Sequence, residues 1–243
     1  MRNLFTIWRR ELMACFLSPV AYITGVFFLA MTGGTFLLGV FSNTNRSESL
    51  PALLYGSIVI WMTFLVTVIS MRLFAEEKKS GTIETLLTAP VTDGEVILGK
   101  YAGALTFMLL VMLPAVSYIY ILSAVGPGLG AVDTGAVVCG GVEVLLLGAM
   151  FMAEGLLVSL MTCNQIVAAI CCFCAVWVTL LAGWILSVLP IGLGKVVSVF
   201  SVAVHIDDFA RGSVDTRPIV LYVSVMLLLL FVATRLLESR RWK

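Results

Sequence analysis

The chain has 243 residues, of which 60% are hydrophobic and 12% are charged, and its formal net charge is +1 at pH 7. So little polar surface cannot cover a soluble globule, which excludes a soluble domain. The near-zero net charge gives no indication of a nucleic-acid partner or of an acidic substrate. The composition therefore predicts an all-α polytopic membrane protein.

Residues 1–16 are predicted to form an amphipathic helix that lies in the membrane interface. Trp8 belongs to its apolar side and Arg10 to its polar side. This division is typical of a helix that lies on a membrane rather than across it. Glu11 falls within the apolar arc, so we expect its carboxylate to pair with a cation.

Six apolar segments are long enough to cross a bilayer, which takes about 20 helical residues. They cover residues 20–41, 53–73, 96–125, 135–161, 166–188 and 219–237. Residues 189–217 contain helix-breaking Pro and Gly and an apolar stretch too short to span. We expect a re-entrant segment or a surface helix there, because irregular backbone at membrane depth must be covered by protein. His205, in the polar part of this segment, is expected to be solvated.

The longest polar interruption runs from Arg72 to Lys100. We expect a short surface helix to begin at Gly81, with an apolar stripe at i, i+3 and i+4. The stripe is formed by Ile83, Leu86 and Leu87. Pro90 disfavours helix at the residue before it, and Thr92 with Glu95 has the spacing of a capping box that opens a new helix near Asp93. The pattern indicates either a docking element or an ordinary polar loop.

Basic residues divide unequally between the two faces of the membrane. Six spans put both termini on one side, and with residues 72–100 that side holds eleven Lys and Arg, whereas the other side holds four. Because cytoplasmic segments carry the excess of Lys and Arg, we predict cytoplasmic termini and a cytoplasmic 72–100 stretch.

No catalytic constellation is recognised in the sequence, and we predict neither a metal site nor a cofactor held by this chain. Residues 94–100 match the start of a phosphate-binding loop, but Tyr101 stands where Ser or Thr is needed and no strand precedes it. The six cysteines lie mostly in apolar spans, where Cys acts as a small hydrophobic residue.

Two acidic residues, Glu143 and Glu154, lie inside the fourth apolar segment. They are eleven residues apart, close to three helical turns, so they face the same way. A charge at mid-membrane costs roughly 3 kcal/mol on insertion scales, so both should face the interior of the bundle. They form either a polar translocation surface or relay, or a pair of protonated or hydrogen-bonded packing residues.

Residues 76–90, EEKKSGTIETLLTAP, and the following Gly99-Lys100 resemble the permease subunits of ABC-2-type transporters. Further matches lie across nearly the whole chain, at Arg10-Glu11-Leu12, Ser18-Pro19, 164–169, 205–212 and 237–243. Together they resemble the Gld-type subfamily, named for the gliding-motility permease GldF. Glu154 departs from the family's pattern, so no role carries over to it.

The resemblance implies one ABC-2 transmembrane domain over residues 1–243, with the six-helix fold also described as type V exporter-like. It identifies residues 1–16 as the interface helix, 76–90 as the coupling helix that docks an ATPase, and 189–217 as the re-entrant external segment. The interface residues are Trp8, Arg10 and Glu11. The coupling residues are Glu76, Glu77, Gly81, Thr82, Ile83, Glu84, Leu86, Leu87 and Pro90.

The function implied is that of a permease subunit in the bacterial cytoplasmic membrane. A separate cytoplasmic ABC ATPase would bind ATP and Mg, and a second permease, either an identical copy or a Gld-type partner with an external domain, would complete the transporter. We expect export of an unidentified substrate. One alternative is mechanotransmission, in which ATP cycles move an external partner protein and nothing crosses the membrane. Another is an intramembrane enzyme or ion channel.

Overall fold

A computed structural model of the chain describes residues 2–42, 49–81, 91–125, 133–188 and 199–240. These residues are almost entirely helical, and no strand occurs among them. The helices with described bounds are α1 Arg2–Leu17, α2 Pro19–Ser42, α3 Leu50–Leu73, α4 Ala75–Ser80, α5 Asp93–Val125, α6 Thr134–Met161, α7 Gln165–Val188, α8 Val202–Ala210 and α9 Thr216–Arg240.

Six of the described helices are long and apolar enough to cross a membrane. They are α2, α3, α5, α6, α7 and α9, which correspond in order to the six predicted spans. The predicted all-α fold with six spans is therefore confirmed. Helix α1 precedes the first span, and Ser18 separates the two helices.

Helices α3 and α6 form the centre of the bundle. Their most apolar windows are 61% and 67% buried, against 28% or less for the other four spans. Glycines on α6 permit close approach to α3: a Cβ at Gly140 would meet the Tyr55 ring at 2.5 Å, and one at Gly155 would meet Ser70 at 2.5 Å. Small residues at such contacts are how membrane helices pack closely.

Helix α1 packs against the first half of α5 rather than standing apart from the bundle. A Cβ at Gly99 would lie 2.8 Å from Ile7, and one at Gly103 would lie 2.8 Å from Glu11. These two glycines therefore allow close packing, and the helix that packs there is the interfacial helix. Trp8 adds a hydrogen bond, its Nε1 donating to Oγ1 of Thr106 at 3.0 Å.

Helix α8 is inserted among α3, α6 and α7 instead of lying in solvent. Its side chains at Ile206 and Phe209 are buried, and so is His205, which is 5% exposed. The expectation of a solvated His205 is wrong, because the apolar face of α8 carries this residue into the bundle. Nδ1 of His205 and the hydroxyl of Tyr222 on α9 share a hydrogen bond of 2.7 Å.

The chain order fixes which helix ends lie together. The C-terminal ends of α3 and α6 and the N-terminal end of α5 surround α4, and we call this the α4 end of the bundle. The C-terminal end of α2, the start of α6 and helix α8 belong to the opposite end, which we call the α8 end.

Candidate functional site

Helix α4 begins immediately after α3, with only Phe74 between them. The first backbone N–H groups of a helix have no partner within the helix. Here the N–H groups of Phe74 and Ala75 both donate to Oγ of Ser159 on α6, at 3.1 Å each. The start of α4 is therefore attached to the end of a central membrane helix.

Lys100 joins three separate helices at the α4 end. Its Nζ lies 2.8 Å from Oε1 of Glu11 on α1 and 2.9 Å from Oε1 of Glu77 on α4. Lys100 itself belongs to α5, two turns after the helix begins. We call Glu11, Glu77 and Lys100 the ion triad.

The ion triad is largely removed from solvent. The Lys100 side chain is 1% exposed, and those of Glu11 and Glu77 are 14% and 16% exposed. The Lys100 ammonium also lies 5.2 Å from the centre of the Phe74 ring, within the range of a cation–π interaction. Buried charges are tolerated only when they are paired, and removing one partner of a buried pair is strongly destabilising.

The sequence around Lys100 explains its position. The backbone N–H of Glu95 donates to Oγ1 of Thr92 at 3.3 Å, and the N–H of Thr92 donates to Oε2 of Glu95 at 3.2 Å. This is the predicted capping box, and it starts α5 at Asp93. With that start fixed, Gly99 and Gly103 admit α1, and Lys100 lies between them facing Glu11.

Two further side chains hold α4 in place. Arg72 donates from Nη1 to Oγ of Ser18 and from Nε to Oε2 of Glu76 at 2.8 Å, so it connects α3, α4 and the junction before α2. Lys78 donates to the backbone carbonyl of Leu160 and, at 3.2 Å, to that of Thr162. Cations at the last carbonyls of a helix are favourable because these oxygens lack partners within the helix.

Gly81 ends α4. Its φ is 72°, in the left-handed region that favours glycine, and its N–H bonds to the carbonyl of Lys78. The structure shows Gly81 as the C-cap of α4. The helix that the sequence predicts to begin at Gly81 would lie outside the described residues and stays a prediction. The other predicted coupling residues, Thr82, Ile83, Glu84, Leu86, Leu87 and Pro90, lie outside the described residues.

The structure brings several of the predicted site residues together. Glu11 meets Glu77 through Lys100, and Glu76 lies on the same short helix. Arg10 is exposed and lines a cavity beside the ion triad. Sequence reasoning missed Lys100, Phe74 and Ser159 as site residues. The sequence did contain a signal for Lys100. It is a cation two turns inside an apolar helix, and a charged residue is as unusual there as Glu143 and Glu154 are in α6.

Glu143 and Glu154 lie on α6, away from the ion triad. Glu154 accepts a hydrogen bond at Oε1 from Thr179 of α7, at 2.9 Å. Glu143 is 1% exposed, and neither of its carboxyl oxygens has a hydrogen-bond partner among the described residues. Asp208 and Tyr222 are close enough to interact with it electrostatically. The two acids therefore have different surroundings.

The α4 end is held together by ion pairs and hydrogen bonds. Within the described residues no cluster of three His, Cys, Asp or Glu could hold a metal ion. Cys15 beside the ion triad is a poor nucleophile, since burial, and then the Glu11 carboxylate, raise the pKa of its thiol to about 11. Ion pairs and hydrogen bonds instead tie α4 to α1, α3, α5 and α6.

The described residues form a bundle of six helices long and apolar enough to span a membrane. The interfacial helix α1 packs on the third span, α5, and the short helix α4 is joined to both through Lys100. This architecture is that of a multi-pass helical membrane protein. Residues 43–206 match the family described as ABC-2 family transporter protein. The match covers more than half of the chain, so the chain belongs to this family and is a transporter permease subunit. A comparison with curated proteins finds no significant match.

Proposed function

We propose that this chain is the membrane subunit through which a separate cytoplasmic ATPase, binding ATP and Mg, powers export. The observation that carries the proposal is the buried ion triad of Glu11, Glu77 and Lys100. Family membership supports a transporter permease, and an ABC ATPase is the partner that such permeases generally have.

Helix α4 would transmit a movement of the segment that follows it to the rest of the bundle. Only Gly81 separates α4 from residues 82–90. A displacement of that segment by an ATPase would reach α1 and α5 through Lys100, and α6 through Ser159. Packed elements held by several directional contacts move as units instead of deforming gradually. Helix α4 would therefore pass a movement at the membrane surface to three helices at once.

The orientation in the membrane, the Gld-type subfamily and the pairing with a second permease are proposed from the sequence. The excess of Lys and Arg on one side supports cytoplasmic termini and a cytoplasmic α4 end in the bacterial inner membrane. The motifs at 164–169, 205–212 and 237–243 support a Gld-type permease. Pairing with a second permease, either a copy of this chain or a Gld-type partner, completes the proposed transporter.

The test begins with the tagged full-length chain, purified from its own membranes with any Mg-dependent ATPase that accompanies it. Leu86→Ala combined with Leu87→Ala removes the proposed apolar anchor and should release the ATPase, because such anchors carry most of an interface's energy. Glu77→Gln should retain the ATPase but reduce ATP-driven export, because α4 loses an ion pair with α5. Lys79→Met, at an exposed position on the same helix, is the matched control and should behave as wild type in both respects.

Full retention of the ATPase and normal export by the double-leucine variant would refute the coupling role of residues 82–90. Export itself is tested by comparing compounds released by cells with the active ATPase and by cells with a hydrolysis-deficient one. If no compound depends on hydrolysis while an external partner protein still changes its activity, mechanotransmission replaces export.

A further inference from the structure

A cavity of about 260 Å³ lies beside the ion triad, between α1, α2, α3, α4 and α5. One water occupies about 30 Å³ of liquid, so the cavity has room for several non-hydrogen atoms. Its lining includes the exposed residues Arg10 and Val20, so the cavity reaches the surface of the bundle.

The walls of the cavity differ in polarity. One side carries charged side chains from the interfacial helix, α4 and the ends of α3 and α5. The other side carries apolar residues of the membrane-spanning helices, among them Val20, Ala21 and Val68. Val20, on α2, is 42% exposed. An occupant with a polar head and an apolar body would match this division.

The charged lining is balanced. It comprises the cations Arg10, Arg72 and Lys100 and the carboxylates Glu11, Glu76 and Glu77. An anionic headgroup would bring an extra negative charge among three carboxylates, and a cationic one would bring a positive charge among three cations. A zwitterionic headgroup can place its negative charge near the cations and its positive charge near the carboxylates.

The kind of hydrogen bond available distinguishes zwitterionic lipids from one another. Carboxylates only accept hydrogen bonds, and a primary ammonium has three N–H groups to donate. A trimethylammonium group has none. Arg10, which forms no ion pair among the described residues, and Arg72 present guanidinium groups suited to phosphate.

We propose that this cavity binds the headgroup of an ethanolamine phospholipid, with its phosphate at Arg10 and Arg72 and its ammonium at Glu11 and Glu76. The lipid would fill the space between the interfacial helix and α2 and support α1 on α5. This inference does not depend on the identity of the ATPase or of the exported substrate.

The test uses the purified full-length chain and lipids of matched acyl chains that differ only in headgroup. The series contains phosphatidylethanolamine, its mono- and dimethyl derivatives, phosphatidylcholine and phosphatidylglycerol, and retention is measured by native mass spectrometry. We expect retention to fall with each methyl group, with at least a tenfold preference for phosphatidylethanolamine over phosphatidylcholine. Equal retention of the two, or a preference for phosphatidylglycerol, would overturn the proposal.

Matched variants locate the site. Arg10→Gln should remove the excess retention of phosphatidylethanolamine, and Glu76→Gln should reduce its preference over phosphatidylcholine. Arg9→Gln, an exposed neighbour outside the cavity lining, should behave as wild type, and so should Glu238→Gln on α9. Wild-type lipid retention by Arg10→Gln would refute the assignment. Soluble phosphoethanolamine is the last arm: binding as tight as that of the lipid would mean a soluble zwitterion rather than a membrane lipid.

Discussion

Nζ of Lys100 lies 2.8 Å from Oε1 of Glu11, which is 89 residues earlier in the chain. This ion pair fixes the interfacial helix α1 to the membrane-spanning helix α5 where only 1% of the Lys100 side chain is exposed. Because Glu77 binds the same ammonium, α1, α4 and α5 share one buried cation. The stability of the α4 end should therefore depend on Lys100 more than on any exposed cation nearby.

Lys100→Met tests this dependence. It removes the cation and leaves the carboxylates of Glu11 and Glu77 unpaired at positions that are largely removed from solvent. Breaking a buried ion pair in this way costs about 3–5 kcal/mol. We expect a clear fall in the thermal unfolding temperature of the detergent-solubilised chain. Lys79→Met, at an exposed position on α4, should change stability by less than about 0.5 kcal/mol.

A compensated variant separates charge from packing. Lys100→Met combined with Glu11→Gln and Glu77→Gln removes both stranded charges, and replacing a whole buried ion pair by neutral groups is often close to neutral. The triple variant should therefore recover most of the lost stability. If it unfolds at the same temperature as Lys100→Met, the loss arises from packing around Phe74 and not from unpaired carboxylates.

Helix packing at the centre of the bundle gives a second prediction. A Cβ at Gly155 would lie 2.5 Å from Cβ and Oγ of Ser70, which leaves no room for a methyl group. Gly155→Ala should force α6 away from α3 and lower stability by about 1–3 kcal/mol. Gly56→Ala on α3 meets nothing within 4 Å and should be neutral or slightly stabilising. Thermal unfolding of the two variants checks this, and equal effects would contradict the close contact.

The thiol of Cys15 gives a prediction about pH. Burial and then Glu11 raise its pKa from 9.0 to about 11, so at pH 8 its thiolate fraction is about 100-fold below that of an ordinary thiol. In a chain with Cys15 as the only cysteine, maleimide labelling should be slow at pH 8 and accelerate about tenfold per pH unit toward pH 10.

Substitution of Glu11 tests whether its negative charge slows the labelling of Cys15. Glu11→Gln removes the negative charge that disfavours the thiolate, so labelling at pH 8 should become faster. Glu238→Gln, which alters an exposed acid paired with Arg235 on α9, should leave the rate unchanged. A labelling rate that does not depend on Glu11 would mean that access alone limits the reaction.

Local signals in the sequence were sufficient for much of the fold. The six spans follow from apolar length alone, and Thr92 with Glu95 predicted the start of α5 because a capping box involves only neighbouring residues. Glu11 was expected to pair with a cation because a charge within an apolar arc needs a partner. The prediction did not identify Lys100 as that partner, since a contact across 89 residues has no local signature.

Tertiary packing decided the features that were missed. His205 lies in a polar segment, and its burial follows only from the insertion of α8 between α3, α6 and α7. Gly81 was expected to start a helix, and nothing in the sequence indicated that it also ends α4 with a φ of 72°. The apolar stripe at Ile83, Leu86 and Leu87 stays a prediction, because these residues lie outside the described part of the chain.

Topology is open to direct labelling in a background without the native cysteines. Ser213→Cys lies at an exposed position after α8, and Lys79→Cys lies at an exposed position on α4. The excess of Lys and Arg near α4 predicts a cytoplasmic α4 end, so an impermeant maleimide added to intact cells should label only Ser213→Cys. Permeabilised cells, in which both positions should react, are the control. The reverse pattern in intact cells would invert the assigned orientation.

The last prediction contrasts the two acids of α6. Neither carboxyl oxygen of Glu143 has a hydrogen-bond partner among the described residues, whereas Oε1 of Glu154 accepts from Thr179. An unsatisfied buried polar group costs about 1–3 kcal/mol, so Glu143→Leu should raise the thermal stability of the chain. Glu154→Leu removes the hydrogen bond from Thr179 together with a buried Oε2 that has no partner among the described residues, so it should raise stability less than Glu143→Leu does.

Function is measured on the same variants and on Glu143→Gln and Glu154→Gln. A residue kept at the expense of stability is typical of a working site, so Glu143→Leu should reduce ATP-driven export or the ATPase rate of the complex while the protein becomes more stable. Unchanged activity in all four variants would assign both acids to packing. A loss of stability in Glu143→Leu would show instead that its carboxyl is bound by a group outside the described residues.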